Sequence, residues 1–247
     1  MVLVKPKTRW GACGYHLAVS SIIFAVLAVL IILVWYPSFL FQTDGGWDGI
    51  KLIAGVDLVL GPMLTLIVYK ATKSTLKFDL SVIAAIQISA LIYGTWLVYQ
   101  ERPRAIVFAE GEIRVIAATA FPEEIRDDAL DVIQEIGGSP VWIYASISIE
   151  GFESLSEQDK KFESFKDIYN NGLLHTRYET YEPFHRHAQQ IKSQALHMSS
   201  FRADHESIPY QVGNLIYRFK SRYVDGLIEL DKKTLKYVAL HNFRYGL

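Results

Sequence analysis

Three apolar runs constrain this chain more than any other feature. Leu17–Tyr36 reads LAVSSIIFAVLAVLIILVWY and carries no charge. Ile50–Tyr69 and Leu80–Tyr99 follow, the second run interrupted only by Lys51 and Asp57 and the third by no charge at all. Each run has 20 residues. At about 1.5 Å per residue that is about 30 Å of helix, the thickness of a bilayer's hydrocarbon core. A cleaved signal peptide has a shorter apolar region and a small-x-small exit, whereas the first run ends in Trp35-Tyr36-Pro37 and reads as a retained helix. With their flanks, the runs predict transmembrane helices over 16–36, 50–69 and 79–99, after an N-terminal segment 1–15.

Basic residues set the orientation. Lys5, Lys7 and Arg9 precede the first run, and Lys70, Lys73 and Lys77 lie between the second and third. The loop Pro37–Gly49 has Asp44 and Asp48 but no Lys or Arg. Positive loops stay in the cytoplasm, so the N-terminus is expected inside and the tail beyond Gln100 outside. Trp10, Trp35, Tyr36, Trp47, Tyr69, Trp96 and Tyr99 mark the run ends, where amphipathic rings favour the interface.

The tail has the composition of a water-soluble domain, mildly acidic and long enough for one compact core. Ala105–Ala109 and Ile113–Ala117 flank Glu110-Gly111-Glu112 as a hairpin would. A helix is expected from Phe121-Pro122-Glu123-Glu124, with Ile125, Ala129, Val132, Ile133 and Ile136 on one face and Gly137-Gly138 as its stop. Val141–Ala145 reads as a strand, 156–170 and 184–199 as helices, and Leu215–Phe219, Gly226–Leu230 and Leu235–Leu240 as closing strands. The mixture predicts a small α+β domain over 104–247.

Composition excludes several functions. A net charge of −1 disfavours nucleic-acid binding, and 13% aromatic residues exclude intrinsic disorder. A single cysteine excludes a CxxC redox pair and a cysteine-rich zinc site. Six of the seven histidines lie in the tail, but His185-Arg186-His187 points its rings to different sides of a helix, and there is no HExxH. Neither a GxSxG elbow nor a glycine-rich phosphate loop occurs. No enzyme activity, cofactor or metal is expected.

Asp57 is the sharpest local signal. A carboxylate near the middle of a membrane helix costs roughly 2.5–3.5 kcal/mol on insertion scales, so it has a partner or a task. It either bonds within its own bundle, to Ser20, Ser21, Gln87 or Ser89, or docks a partner bearing a positive group; proton or ion transport is a third reading. Gly61-Pro62 removes a side chain and a backbone donor together, which kinks the helix or opens it to another helix. Ala85/Ser89 and Ala90/Gly94 are small-xxx-small pairs that permit close helix approach. Asp79 either caps the third helix or offers a second carboxylate at its cytoplasmic end.

These residues carry a resemblance. Gly55-Val56-Asp57-Leu58-Val59-Leu60-Gly61-Pro62-Met63-Leu64-Thr65-Leu66-Ile67-Val68 resembles the GVDxVLGPxLTLIV signature of the type IV pilin accessory proteins, the TfpX/TfpZ family. Lys73–Leu80, Val82-Ile83-Ala84 and Gln87, and Arg9-Trp10 before a helix ending Val34-Trp35-Tyr36-Pro37, are similar too. The likeness covers about residues 8–109; beyond them it is looser, through Val141–Ala145, the Tyr178/Tyr181-Pro183 region and the closing strands. It implies a Gram-negative inner-membrane protein with three helices and a periplasmic α+β domain. Its partner would be a cognate type IV pilin, whose stability or assembly it supports. The implied docking candidates are Asp57, Gly61, Pro62, Asp79 and Gln87. A membrane-anchored periplasmic sensor or regulator is the alternative, weakened by how little of the chain would face the cytoplasm, and a membrane-tethered envelope enzyme is a third.

Overall fold

The computed structural model describes residues 6, 8–109, 111–121, 123–138, 140–147, 178–196 and 213–242. The chain divides into two compact units, Met1–Gln100 and Glu101–Leu247.

The first unit holds three helices long and apolar enough to cross a membrane: Arg9–Trp35, Gly46–Val68 and Leu76–Gln100. The first comprises α1 (Arg9–Leu30) and a π-helical turn, Ile31–Trp35. The short α2 (Leu40–Thr43) lies in the following loop. The second comprises α3 (Gly46–Ala54), a π segment (Gly55–Leu60) and α4 (Gly61–Val68). The third is α5 (Leu76–Gln100). Each helix extends past its apolar run. Thr8 caps α1, its Oγ1 accepting from Gly11 N at 3.1 Å, and this lets the helix begin eight residues before Leu17, through polar positions that hydropathy does not register. The second helix starts at Gly46, so Asp57 is its central residue.

Both π segments lie just before a proline, Pro37 and Pro62. A proline cannot donate to the preceding turn and its ring crowds the carbonyl four residues back. Here the ladder shifts to five-residue bonds: Tyr36 N donates to Ile31 O at 2.8 Å, and Gly61 N donates to Val56 O. The prolines are thus accommodated by a local widening of the helix.

Two halves can be distinguished along this bundle. At the Tyr36 end the core is apolar, built from Ile31, Ile53 and Val98 with Phe24, Leu27 and Leu91 around them. The Tyr36 hydroxyl donates to Val98 O at 3.0 Å, and Gly49 packs so closely on Val98 that an added Cβ would lie 2.9 Å from its side chain. At the other end Tyr69 donates to Pro6 O at 2.5 Å, and the interior is polar.

The second unit is a seven-stranded mixed sheet in the order β4-β3-β1-β2-β5-β6-β7. Strands β1 (Pro103–Ala109) and β2 (Glu112–Ala117) form the expected hairpin. After a 3₁₀ turn, Ala118–Ala120, α6 (Glu123–Ile136) ends at Gly137 and Gly138, whose φ of 84° and 111° L-residues rarely adopt. β3 (Val141–Ile147) then returns parallel to β1. β5 (Leu215–Lys220) pairs parallel with β2, and β6 (Asp225–Leu230) and β7 (Tyr237–Asn242) complete the sheet as antiparallel neighbours. Alternation along the strands gives two apolar faces. Ala105, Val107, Ala109, Ile116, Val141, Ile143 and Ala145 pack under Ile133 and Leu130 of α6. On the opposite face Phe108 meets Tyr144, Phe184 and Tyr217.

The helix expected over 184–199 is a correction. The chain makes β4 (Tyr178–Pro183), a 3₁₀ turn (Phe184–His187) and a short α7, Ala188–Ser193. It stops there because the sheet claims the backbone beyond: Leu196 N donates to Ile216 O at 2.9 Å, and the Tyr217 hydroxyl donates to Ile191 O at 2.9 Å. The helix expected over 156–170 lies outside the described residues.

Candidate functional site

A polar side chain on an apolar helix is stable where it turns inward and finds a partner. In the first unit Ser20, Asp57, Thr65 and Gln87 are buried, each less than 10% exposed, while Ile22, Val26, Ile67 and Ile92 are outward and more than 60% exposed. The inward positions follow a simple spacing. Ala12, His16 and Ser20 lie four apart on α1, and Ile53, Asp57, Gly61 and Thr65 lie four apart on the second helix. A strict four-residue spacing drifts about 40° per step on an ideal α-helix. The π segment Gly55–Leu60, wound more widely, pulls the stripe back toward one line.

All three helices contribute to the polar cluster. The His16 ring Nδ1 lies 2.6 Å from Thr65 Oγ1. Gln87 and Asp57 are both close enough to interact electrostatically with the same histidine. Asp57 Oδ2 is buried and has no hydrogen-bond partner among the described residues. Gly61 makes the arrangement possible. A Cβ added there would fall on the Gln87 amide, so the space opened by this glycine is filled by the chain's own third helix.

Of the candidates from sequence, Asp57, Gly61, Pro62 and Gln87 converge here; Pro62 is buried as the second residue of α4. Asp79 stands apart. It lies in the first turn of α5, 2.5 Å from Lys73 Nζ, and accepts from Thr75 Oγ1 at 3.2 Å. Ser21 donates back to Leu17 O of its own helix, and Ala85 and Ser89 are exposed. Sequence reasoning missed His16. Its signal was available: a single histidine preceding the first run and one turn before Ser20, facing a second run with a single carboxylate.

The described tail histidines do not assemble. His185 is exposed, His187 stacks on Tyr144 at 4.1 Å, and His241 Nε2 lies 3.0 Å from Glu229 Oε2. His175, His197 and His205 lie outside the described residues. Among the described residues no group of three or more His, Cys, Asp or Glu could hold a metal ion.

Known proteins are similar to this chain in sequence. The chain is 39% identical over 106 residues to the fimbrial assembly protein of serogroups C1 and C2 of Dichelobacter nodosus, a stretch that is 42% of this chain and 81% of that protein. The chain belongs to the fimbrial assembly protein family. It is also 30% identical over 173 residues to the serogroup E1 protein and 31% identical over 173 residues to the serogroup I protein of the same organism. In both cases the match covers 68% of this chain and 66% of the relative. No model of a protein family matches the chain, and no solved structure does.

Proposed function

We propose that this protein is a Gram-negative inner-membrane accessory factor of type IV pilus assembly, which binds its cognate pilin before or during incorporation and acts by holding it, not by catalysis. The observation that carries this reading is the membership in the fimbrial assembly proteins, joined to three apolar helices followed by a sheet domain. In this reading the helices cross the inner membrane. Arg9, Lys70, Lys73 and Lys77 lie at the cytoplasmic ends, and the sheet unit is in the periplasm. Lys51, a basic residue near the opposite ends, is paired with Asp48 at 3.3 Å.

A pilin awaiting assembly is, by the family resemblance, a long apolar helix with a periplasmic head. The helical unit offers such a helix an outward apolar face and the sheet unit offers its head a second contact. Two linked contacts multiply through effective concentration. The cluster of Asp57, Gly61, Pro62 and Gln87 keeps the helices in the packing that presents this face. Asp79, partly exposed beside Lys73, is a docking carboxylate at the cytoplasmic depth where a processed pilin begins.

The experiment is recovery of pilin with affinity-tagged protein from detergent-solubilised membranes, comparing wild type with Asp57→Asn, Pro62→Ala and Asp79→Asn variants that accumulate normally. Reduced recovery supports the reading. Undiminished recovery from all three removes these residues as docking determinants, and wild-type surface fimbriae in a strain lacking the protein would remove the assembly role itself.

A further inference from the structure

The sheet unit has an exposed aromatic that its own fold does not use. Among its described residues the exposed large apolar side chains are Tyr223, 56% exposed, and Val238, 37% exposed. Tyr223 lies in the turn between β5 and β6. That turn is firmly made: Ser221 N donates to Val224 O at 2.8 Å, and Val224 N donates to Ser221 Oγ at 3.2 Å. It presents Arg222 beside Tyr223, with the guanidinium carbon 5.5 Å from the ring centroid.

The register shows which end of the sheet this is. Pro103, at the start of β1, pairs with Ala117 at the end of β2, and β5 runs parallel to β2 with Lys220 opposite Arg114. The beginning of β1, the Ala118–Ala120 turn and the β5–β6 turn therefore share one end. The β6–β7 turn, Asp231–Thr234, is at the other. Glu101 ties the first end together: its Oε2 accepts from Arg222 Nη1 at 2.7 Å and from Thr119 Oγ1 at 3.3 Å. Glu101 is also bonded directly to Gln100, the last residue of α5, whose final turns expose Trp96 and Tyr99. Aromatics of this kind mark a lipid–water interface.

We propose that the Ser221–Val224 turn is a phospholipid-headgroup contact, with Tyr223 seated at the interface and Arg222 facing lipid phosphates. The inference rests on the reading that Leu76–Gln100 crosses the bilayer. If it does, Glu101 leaves the hydrocarbon at the interface, and the side chain ion-paired with it is held at headgroup level. Tyrosine, apolar in body and polar at the tip, suits that depth, and a guanidinium gains from anionic lipid. The turn is a lipid contact of the sheet unit next to the chain's exit from α5, while the β6–β7 turn lies at the opposite end of the same sheet.

The test uses the full chain in nanodiscs of phosphatidylethanolamine and phosphatidylglycerol. The single cysteine is removed as Cys13→Ser, and a spin label is attached at Tyr223→Cys, Lys233→Cys or Ile86→Cys. Collision with lipid-partitioned oxygen is then compared with collision with a water-soluble nickel chelate. The expected oxygen-to-nickel ratio at 223 is severalfold above that at 233 and below that at 86, an outward apolar position of α5. A label at Asp225→Cys, which keeps the turn's own side chains, should also read interface, and should lose that reading when Tyr223→Ser and Arg222→Gln are added. Ratios at 223 and 225 equal to that at 233, with 86 in lipid, would overturn the headgroup contact alone. A water-exposed label at 86 would overturn the membrane-spanning reading and this proposal together.

Discussion

The two units solve opposite problems with the same chain. In the sheet unit the buried large side chains include Phe108, Ile113, Ile143, Tyr217 and Phe219, all below 2% exposed. In the helical unit more than a dozen Ile, Leu and Val residues point outward, and Ser20, Asp57, Thr65 and Gln87 are inside. Water rewards apolar burial, which stabilises the first arrangement. It gives no account of the second, whereas lipid does: there close packing and polar contacts between helices replace the hydrophobic effect. The location of each unit's stabilising contacts is therefore different, and substitutions should reveal it.

The largest expected contrast is between core and surface apolar residues. Phe108→Ala in the sheet core removes a ring packed on Tyr144, Phe184 and Tyr217 and should cost about 3–5 kcal/mol. Ile92→Ala, outward on α5 at 65% exposed, should change stability by less than about 0.5 kcal/mol. Denaturant unfolding of the detergent-solubilised protein, followed separately by β and helix signals, measures both. Equal costs would mean that Ile92 packs against something other than lipid or detergent.

A second contrast lies within the second helix. Gly61→Ala drives a methyl into the Gln87 amide, whereas a Cβ at Gly55 meets nothing within 4 Å. The first should destabilise the helical unit by about 1–3 kcal/mol, the cost of overpacking, and the second should not. Adding Gln87→Ala to Gly61→Ala should recover most of the loss, which a double-mutant cycle would read as coupling. Coupling near zero would mean that Gly61 serves a contact other than Gln87.

Single hydrogen bonds give a smaller third contrast. Tyr217→Phe leaves Ile191 O without its buried donor and should cost about 0.5–1.5 kcal/mol. Burial pushes the Tyr217 phenol above its ordinary range, so the loss should be flat across neutral and mildly alkaline pH. Thr65→Val breaks the contact to His16 and should cost about 0.6 kcal/mol, the usual worth of an interhelical bond in lipid. Thermal unfolding of each variant checks both magnitudes.

Legibility in the sequence follows the range of the interactions. The three helices could be read because an unbroken apolar run is a local property, and the β1–β2 hairpin and the last three strands because their patterns are short and bounded by turns. Their true ends could not: the Thr8 cap and the left-handed Gly45 before Gly46 lie outside the runs. The strand β4 reads as YETYEP, with charges and a proline that suggest a loop, and only pairing with β3 makes it a strand. The site divides the same way. Asp57, Gly61, Pro62 and Gln87 were each visible as anomalies in apolar surroundings. That Gln87 fills the space above Gly61, and that His16 joins them, are contacts between residues far apart in sequence, which no local pattern carries.

The smallest expected effect separates the two ends of the sheet unit by acid. At the β6–β7 turn the Asp231 carboxylate Oδ1 accepts from Thr234 N at 2.7 Å, Thr234 Oγ1 at 2.8 Å and Lys233 N at 3.1 Å. The Thr234 backbone and hydroxyl donors, then that of Lys233, hold this carboxyl below its ordinary range. A depressed folded value means that the turn's contribution is complete above the unfolded carboxyl's pKa of 3.8 and fades as pH falls through the lower folded value. The Thr234 amide resonance should therefore titrate with a midpoint below that of an ordinary aspartate, and Asp231→Asn should abolish that titration while leaving neutral-pH stability nearly unchanged. The turn lies at the sheet end opposite Glu101. Its loosening should thus leave the Arg222–Glu101 pair intact, and a Thr234 midpoint that coincided with loss of the Arg222 signal would show the two ends opening as one.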